Sequence, residues 1–109
     1  MTQLLERATA ETYASWFRAL ADPSRVQIVE YLARQARPMS VGELVGAVGL
    51  AQSTVSQHLK ILTEVCFVLV EPVGNARHYR INEACIACFP SAADVVMDRP
   101  APVPVGDCS

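Results

Sequence analysis

The chain lacks several features that would assign it to a common class of protein. Its 109 residues contain no apolar run long enough to span a bilayer, and the N-terminal segment has no apolar signal-peptide core. No nucleophile–base constellation, phosphate-binding loop or pair of carboxylates is present, so nothing predicts an enzyme. We therefore expect one cytoplasmic domain of modest size with no membrane partner, and the apolar half of its composition is sufficient for a core.

The chain also lacks the positive charge that is usual in DNA-binding proteins. Its formal net charge is -2 at pH 7. The basic residues between positions 40 and 80 are Lys60, Arg77 and Arg80, and the acidic ones are Glu43, Glu64 and Glu71. If the protein binds DNA, so little charge predicts a short, specific and salt-sensitive contact, which dimerisation would double.

Residues 40–64 have the pattern of two short helices in succession. Ser40 and Glu43 form a predicted capping box at the start of the first helix, and Gly46 and Gly49 are expected to help end it. A second helical pattern, Gln52 to Glu64, begins almost at once, and this spacing is typical of a helix-turn-helix. The apolar residues of the second helix recur at i, i+4 and i+7 and predict its buried stripe: Val55, Leu59 and Leu62.

The opposite side of the second helix has amides, hydroxyls and one ammonium but no carboxylate before Glu64. Surfaces that only face solvent usually mix glutamate with lysine, whereas this set of groups suits DNA phosphates and base edges. An ordinary polar surface is the alternative for this helix taken alone. The predicted DNA-binding residues are Gln52, Ser53, Thr54, Ser56, Gln57 and Lys60. Ala51 is a poor N-cap, at a cost of about 1 kcal/mol, so the register of base contacts stays open.

A β-hairpin is predicted directly after this helix. Residues 67–70 and 77–81 are strand-like, and the segment Pro72-Val-Gly-Asn75 between them has turn composition. A basic hairpin that follows a recognition helix is interpreted as a wing. Its predicted DNA-binding residues are Asn75, Arg77 and His78.

Two more helices are predicted at the N-terminal end. The first, Thr9 to Leu20, has an aromatic stripe that belongs to the core, to a dimer surface or to both: Tyr13, Trp16, Phe17 and Leu20. The second begins with Asp22 as N-cap and Pro23 at the first helical position. Its predicted inward residues are Val26, Ile28, Val29 and Leu32.

Arg25 and His58 each have two interpretations. Arg25 is expected to pair with an acidic residue, with DNA contact as the alternative. His58 lies at the edge of the buried stripe of its helix. It is expected to donate to a backbone carbonyl, and a role as a metal ligand is the less favoured alternative.

The motifs between Tyr13 and Ile81 resemble the ArsR/SmtB family of bacterial metal- and metalloid-responsive repressors. The segments that carry the resemblance are Phe17-Arg-Ala-Leu-Ala-Asp-Pro-Ser-Arg25, Ser56-Gln-His-Leu-Lys-Ile-Leu62 and the strand Arg77 to Ile81. The resemblance implies a mainly α winged helix-turn-helix with a small β-hairpin, and a homodimer formed through the first and last helices. We expect this domain to cover residues 1–98 and to be followed by a flexible, proline-rich tail, residues 99–109.

The cysteines are Cys66, Cys85, Cys88 and Cys108, and in a cytosolic chain they are expected to be free thiols or metal ligands. Cys85 and Cys88 are three residues apart, so on a helix both sulfurs lie on one side and can share one ion. Thiolates select soft ions such as As(III), Cd(II), Pb(II) or Zn(II). Two thiolates hold such an ion loosely, so a third ligand is expected, either Cys108 from the tail or Cys66.

Other interpretations of the cysteines stay open. Cys85 and Cys88 are equally compatible with small apolar positions of a dimer face. Pro90 suggests that the pair occupies an isolated turn before a last helix, Ser91 to Met97. Cys66 stands where the family pattern usually has glycine, which predicts a left-handed backbone there. The family's best-known sensor, a Cys-x-Cys pair on the helix before the turn, is absent, since residues 43–48 contain no cysteine.

The leading hypothesis is a dimeric repressor that binds double-stranded operator DNA and releases it when a thiophilic ion, foremost As(III), bridges the cysteines. No constitutive cofactor is expected. In the alternatives the protein is the same DNA-binding repressor, but it is controlled by thiol oxidation, responds to another soft metal, or has no ligand. A thiol oxidoreductase is disfavoured because no βαβ pattern surrounds Cys85-x-x-Cys88. A winged helix that binds protein is disfavoured by the acid-free helix face.

Overall fold

The computed structural model describes residues 4–98, apart from the side chains of residues 85–88. These residues form five helices and three strands in the order ααβααββα. The elements are α1 (Arg7–Ala19), α2 (Pro23–Gln35), β1 (Met39–Ser40), α3 (Val41–Val48), α4 (Gln52–Glu64), β2 (Val68–Val73), β3 (Ala76–Ile81) and α5 (Glu83–Val96). This is the mainly α winged helix-turn-helix that the sequence predicts. None of the helices in residues 4–98 has both the length and the apolar character needed to cross a membrane.

Helix α2 begins as predicted. The Asp22 side chain accepts hydrogen bonds from the backbone amides of Ser24 and Arg25, at 2.8 and 3.2 Å, and Pro23 occupies the first helical position. Ile28 and Leu32 are fully buried. The prediction that Val26 faces inward is wrong, because its side chain is 47% exposed. Two residues of helix separate it from Ile28, a rotation of about 200°, so the two side chains point to nearly opposite sides.

The aromatic stripe of α1 is part of the core of a single subunit. Tyr13 and Trp16 are buried, with ring centroids 5.4 Å apart. Phe17 contacts Phe89 of α5 edge to face at 5.3 Å, and Phe67, just before β2, lies 6.5 Å from Trp16 and 5.5 Å from Phe89. Such pairs contribute about 0.5–1.5 kcal/mol each beyond the area they bury. They hold α1 and α5 against the segment that follows α4.

Helices α3 and α4 form the helix-turn-helix. The capping box is present: Glu43 N–H donates to Ser40 Oγ at 3.1 Å, and the Glu43 carboxylate accepts from Ser40 N–H at 3.2 Å. Gly49 ends α3 in the left-handed conformation, with φ 71°, and residues 49–51 make the turn. The prediction that Gly46 helps to end α3 is wrong, because Gly46 lies within the helix. Helix α4 has the predicted bounds. Its predicted stripe is fully buried: Val55, Leu59 and Leu62.

Strands β2 and β3 form the predicted hairpin, with Gly74 at φ 60° in its two-residue loop. A third strand, β1, completes an antiparallel sheet of order β1-β3-β2 and pairs Met39 with Tyr79 and Ser40 with His78. The sequence did not predict β1, because two residues are too few for an alternating pattern. Met39 is 1% exposed and adds to the core beneath the sheet.

The prediction that Pro90 separates an isolated turn from the last helix is wrong. Residues 83–96 form one helix, α5, with Pro90 inside it. Proline removes one helical hydrogen bond and crowds the preceding turn. Packing on both sides offsets this, since Phe89 contacts Phe17 and Phe67 and Ala92 is fully buried, while Pro90 itself is exposed. The tail, residues 99–109, lies outside the described residues, so the predicted boundary at residue 98 stays a prediction.

We expect the Glu43→Gln substitution to remove part of the pH dependence of stability. A hydrogen bond from the Arg37 guanidinium, at 2.8 Å, and a second from Ser40 N–H lower the pKa of Glu43 from 4.5 to about 2. The folded state therefore gains stability from the carboxylate above pH 4.5 and loses it as the pH falls toward 2. Urea unfolding between pH 2 and 6 should show the free energies of the two proteins converging at the acid end.

The matched control for Glu43→Gln is Glu30→Gln, which removes an exposed carboxylate that pairs with Arg34 within α2. Its unfolding free energy should stay close to that of the wild type, because exposed i,i+4 pairs contribute only about 0.3–0.5 kcal/mol. If the unfolding free energies of the wild type and Glu43→Gln changed in parallel with pH, the lowered pKa of Glu43 would be contradicted.

Candidate nucleic-acid interface

The polar face of α4 is exposed as a continuous surface. Its members are the side chains predicted to contact DNA: Gln52, Ser53, Thr54, Ser56, Gln57 and Lys60. Because the three apolar residues of the stripe are buried against the rest of the subunit, α4 presents this surface to solvent. Amide, hydroxyl and ammonium groups of this kind can bond to phosphates and to base edges.

The N-terminus of α4 has no side-chain cap, as the sequence predicts for Ala51. Ala51 has extended backbone angles, and its carbonyl accepts the first helical hydrogen bond, from Val55 N–H at 3.0 Å. The backbone amides of residues 52–54 therefore have no acceptor within the helix. Together with the helix dipole, they favour an anion such as a DNA phosphate at this end.

A groove separates α4 from the wing, the hairpin of β2 and β3. Its lining residues are Ser56, Lys60, Thr63, Glu64, Val70, Arg77 and Tyr79. The structure thus brings Arg77 beside the polar face of α4, and its predicted contact with DNA stays a prediction. Sequence reasoning missed Thr63, Val70 and Tyr79 as members of the site. Strand register could have found two of them, because Val70 pairs with Tyr79, two residues along β3 from Arg77 on the same face.

The other predicted wing residues lie elsewhere. Asn75 is exposed in the hairpin loop. His78 lies on the opposite face of β3 from Arg77, in register with Ser40 on one side and Glu71 on the other, and it is half-buried. The structure therefore does not bring His78 together with Arg77 and Lys60.

Ion pairs leave little positive charge at this surface. The Arg80 guanidinium binds the Glu71 carboxylate across the hairpin. Among residues 4–98, Lys60 and Arg77 form none of the ion pairs, so they supply the cationic groups of the groove. Glu64 borders the same groove and limits its positive potential at one end. The surface suits a contact with few phosphates.

The structure corrects the prediction for Arg25. Its guanidinium forms no ion pair with an acid among residues 4–98: Nε donates to the Ala19 carbonyl at 2.6 Å, and Nη1 lies 3.3 Å from His58 Nδ1. Ala19 is the last residue of α1, and the residue four positions on is Pro23, which has no N–H, so the guanidinium supplies the donor for the Ala19 carbonyl. The His58 ring contacts Arg25 through Nδ1 and does not make the predicted donation to a backbone carbonyl within the described part of the chain.

The cysteines are only partly described. Cys66 has φ 65°, the left-handed backbone that the sequence predicts, and its carbonyl accepts from Asn82 Nδ2 at 2.9 Å. Cys85 and Cys88 lie in the first two turns of α5 and their side chains are outside the description, as is all of Cys108. Within the side chains that are described, no group of three His, Cys, Asp or Glu residues is placed to hold a metal. The predicted thiolate ligands stay a prediction.

Comparisons with known proteins agree with this geometry. The profile of the family described as "Bacterial regulatory protein, arsR family" matches residues 22–68, which span α2 to the start of β2. A probable mercury resistance operon repressor of Streptomyces lividans is 33% identical over 87 residues, 80% of this chain and 63% of the repressor's own length. An HTH-type transcriptional regulator of Mycobacterium tuberculosis is 37% identical over 78 residues, 72% of this chain and 71% of that protein.

A solved structure shows the same architecture. It is the solution structure of a homodimeric winged helix-turn-helix DNA-binding domain from Mycobacterium bovis, described as a possible ArsR-family transcriptional regulator. It superimposes with a TM-score of 0.68 at 29% identity and covers 90% of this chain and 91% of its own. The shared fold includes the recognition helix and the wing.

We expect Cys66→Gly to be more stable than Cys66→Ala by about 1 kcal/mol, because a left-handed backbone strains any residue with a Cβ and not glycine. Both variants lack the sulfur, so their difference isolates the backbone effect. Urea unfolding followed by the fluorescence of Trp16, the sole tryptophan, measures it. An alanine variant as stable as the glycine variant would show that Cys66 carries no such strain.

Proposed function

Because this chain belongs to the ArsR family of bacterial regulatory proteins, we propose that it is a homodimeric repressor that binds a short operator in double-stranded DNA. It is a transcription regulator of this family and not an enzyme. The observation that carries the proposal is the exposed, acid-free face of α4, beside which the wing places Arg77. A regulator of this kind meets its operator in the bacterial cytoplasm.

Each part of the surface has a role in this proposal. The amides of Gln52 and Gln57 match the donor and acceptor pair of adenine in the major groove, and Ser53, Thr54 and Ser56 add hydroxyls that bond to bases or phosphates. The uncapped amides at the start of α4 receive one phosphate. Lys60 on α4 and Arg77 on the wing contact DNA phosphates from the two sides of the protein groove. Asn75 and His78 of the wing make secondary contacts with DNA.

A dimer formed through α1 and α5 fits the apolar residues left at the surface. Leu4 and Leu5 precede α1 and are 86% and 41% exposed, and Val96 and Met97 at the end of α5 are 53% and 62% exposed. The Phe17–Phe89 contact places the two helices side by side within one subunit. A two-fold dimer presents two α4 helices to half-sites about one DNA turn apart, roughly 34 Å, and doubles the small positive charge of each subunit.

The proposed inducer is a thiophilic ion, foremost As(III), with Cd(II), Pb(II) or Zn(II) as alternatives. Cys85 and Cys88 occupy positions i and i+3 in the first turns of α5, and Cys108 or Cys66 supplies a third thiolate. Similarity to a probable mercury resistance operon repressor supports a soft ion as the class of signal. Such an ion releases DNA by binding the DNA-incompetent conformation more tightly. A switch based on thiol oxidation is the runner-up.

We expect Lys60→Gln and Arg77→Gln each to weaken binding to a DNA fragment from upstream of the gene. Each should lower the slope of log affinity against log salt by about 1, because one phosphate contact is lost. Fluorescence anisotropy at four salt concentrations measures both quantities. Arg34→Gln, which removes an exposed arginine of α2 with its ion pair, is the control of equal charge change. A wild-type protein that does not bind the fragment at low salt would contradict the proposal itself.

The inducer is tested with the four single Cys→Ser variants and the quadruple variant. We expect As(III) to release wild-type protein from DNA, and Cys85→Ser and Cys88→Ser to abolish release, because two thiolates hold the ion loosely. Whichever of Cys66→Ser and Cys108→Ser also abolishes release identifies the third ligand. Native mass spectrometry, with and without thiol blocking, distinguishes bound ion from disulfide. Unaltered release of the quadruple variant would exclude thiol sensing.

A further inference from the structure

The Arg25 side chain connects three helices. It starts in the first turn of α2, where the Arg25 amide donates to the Asp22 carboxylate. Its guanidinium reaches the C-terminal end of α1, where Nε donates to the Ala19 carbonyl at 2.6 Å and Nη2 to the Arg18 carbonyl at 3.4 Å. Its remaining nitrogen, Nη1, lies 3.3 Å from Nδ1 of His58 in α4.

The chemistry of this contact assigns its direction. Arginine has five donors and no acceptor, so in a hydrogen bond between the two side chains His58 Nδ1 is the acceptor. The planar guanidinium bonds to α1 and to α4 at the same time, which a lysine ammonium or a single amide cannot do in the same geometry. Hydrogen bonds from the Arg25 and Ser24 amides lower the pKa of Asp22, which keeps a negative charge at the base of this connection.

The location of His58 gives the contact its importance. The side chains of α4 that face the core are Val55, Leu59 and Leu62, and all three are apolar. Apolar burial is non-directional and permits small rotations of a helix, whereas a hydrogen bond requires a defined direction. His58 lies at the edge of that stripe, next to Gln57 of the recognition surface. The bond from Arg25 therefore sets how far α4 is rotated about its axis.

We propose that Arg25 and His58 are positioning residues for DNA recognition, and that their hydrogen bond couples the rotation of α4 to the C-terminal end of α1. The inference rests on the proposed DNA binding and assigns a regulatory connection within that same site. If α1 forms part of the dimer surface, a change there reaches the recognition helix through one guanidinium. Arg25 is half-buried and bonded to carbonyls, so it acts through His58 and not as a phosphate contact.

The test is a double-mutant cycle with Arg25→Gln and His58→Leu, read as affinity for the upstream DNA fragment. Each single variant should weaken binding about 10-fold, the size expected for one lost hydrogen bond to a charged group. The double variant should be no weaker than the weaker single variant, because the same bond is lost once. His58→Asn should retain affinity within about 3-fold, because its Oδ1 is one bond from Cγ, as Nδ1 is in histidine, and can accept from Arg25.

The salt slope separates positioning from phosphate contact. We expect the slope to be unchanged in Arg25→Gln, whereas loss of a phosphate contact lowers it by about 1. Arg34→Gln is again the matched control, since it removes an exposed arginine of the same helix. Urea unfolding followed by Trp16 fluorescence identifies any variant that fails to fold. The His58→Leu and His58→Asn pair decides the matter even if Arg25→Gln unfolds, because it leaves the bonds to α1 in place.

Three results would overturn the inference: additive losses in the double variant, wild-type affinity in His58→Leu, or a slope lowered by about 1 in Arg25→Gln. Each of these leaves the proposed function standing. A wild type that does not bind the fragment at low salt overturns both the proposed function and the inference, so the two failures are distinguishable.

Discussion

The burial of one side of α4 is the constraint on which the rest of the structure depends. Val55, Leu59 and Leu62 are fully buried, and truncating such a residue to alanine costs about 2–5 kcal/mol in proteins, a large share of the stability of a domain this size. Helices α2 and α3 contribute Ile28, Leu32 and Leu44 to the same core. Because the apolar stripe must face inward, the polar side must face out, and the position of the proposed DNA-binding surface is a consequence of folding.

The electrostatics of the surface follow from how the charges are paired. The chain has a net charge of -2, yet the acidic residues near the recognition elements are partly neutralised: Glu43 by Arg37, and Glu71 by Arg80. Lys60 and Arg77 are outside the ion pairs of the described residues and face one groove. Directed backbone amides at the start of α4 add a local positive potential that net charge does not reveal. A protein of negative net charge can therefore present a surface suited to DNA.

Local patterns predicted the parts of this site whose causes are local. The capping box at Ser40, the start of α2 at Asp22 and the bounds of α4 each depend on neighbouring residues, and the structure has all three. Where a feature depends on residues distant in the sequence, it was either not predicted or predicted wrongly. Strand β1 exists because β3 provides its partner. Helix α5 continues through Pro90 because Phe89 and Ala92 pack on distant elements. The hydrogen-bond partners of the Arg25 side chain come from two other helices. The periodicity of apolar residues within one element does not predict contacts between distant elements.

The junction after α4 provides a physical route by which events in α5 can reach the recognition helix. Cys66 N–H donates to the Thr63 carbonyl at 3.0 Å and Phe67 N–H to the Leu62 carbonyl at 3.1 Å, so both residues are bonded to the last turn of α4. Asn82, the residue before α5, donates from its backbone to Phe67 and from its side chain to Cys66, both at 2.9 Å. The first turn of α5 and the last turn of α4 thus share one set of hydrogen bonds.

This arrangement gives α4 two separate attachments with different consequences. At its C-terminal end, displacement of Asn82 by an ion bound at Cys85 and Cys88 would pull on the backbone of residues 66–67 and tilt the helix. In its middle, α4 is attached through the contact between the Arg25 guanidinium and His58, which we propose restrains rotation of the helix. Tilt changes how deeply the whole surface enters a groove, whereas rotation changes which side chains meet the bases. If the proposed inducer acts through α5, it should reduce affinity for all DNA sequences, whereas a change at the α1 end should alter discrimination between sequences.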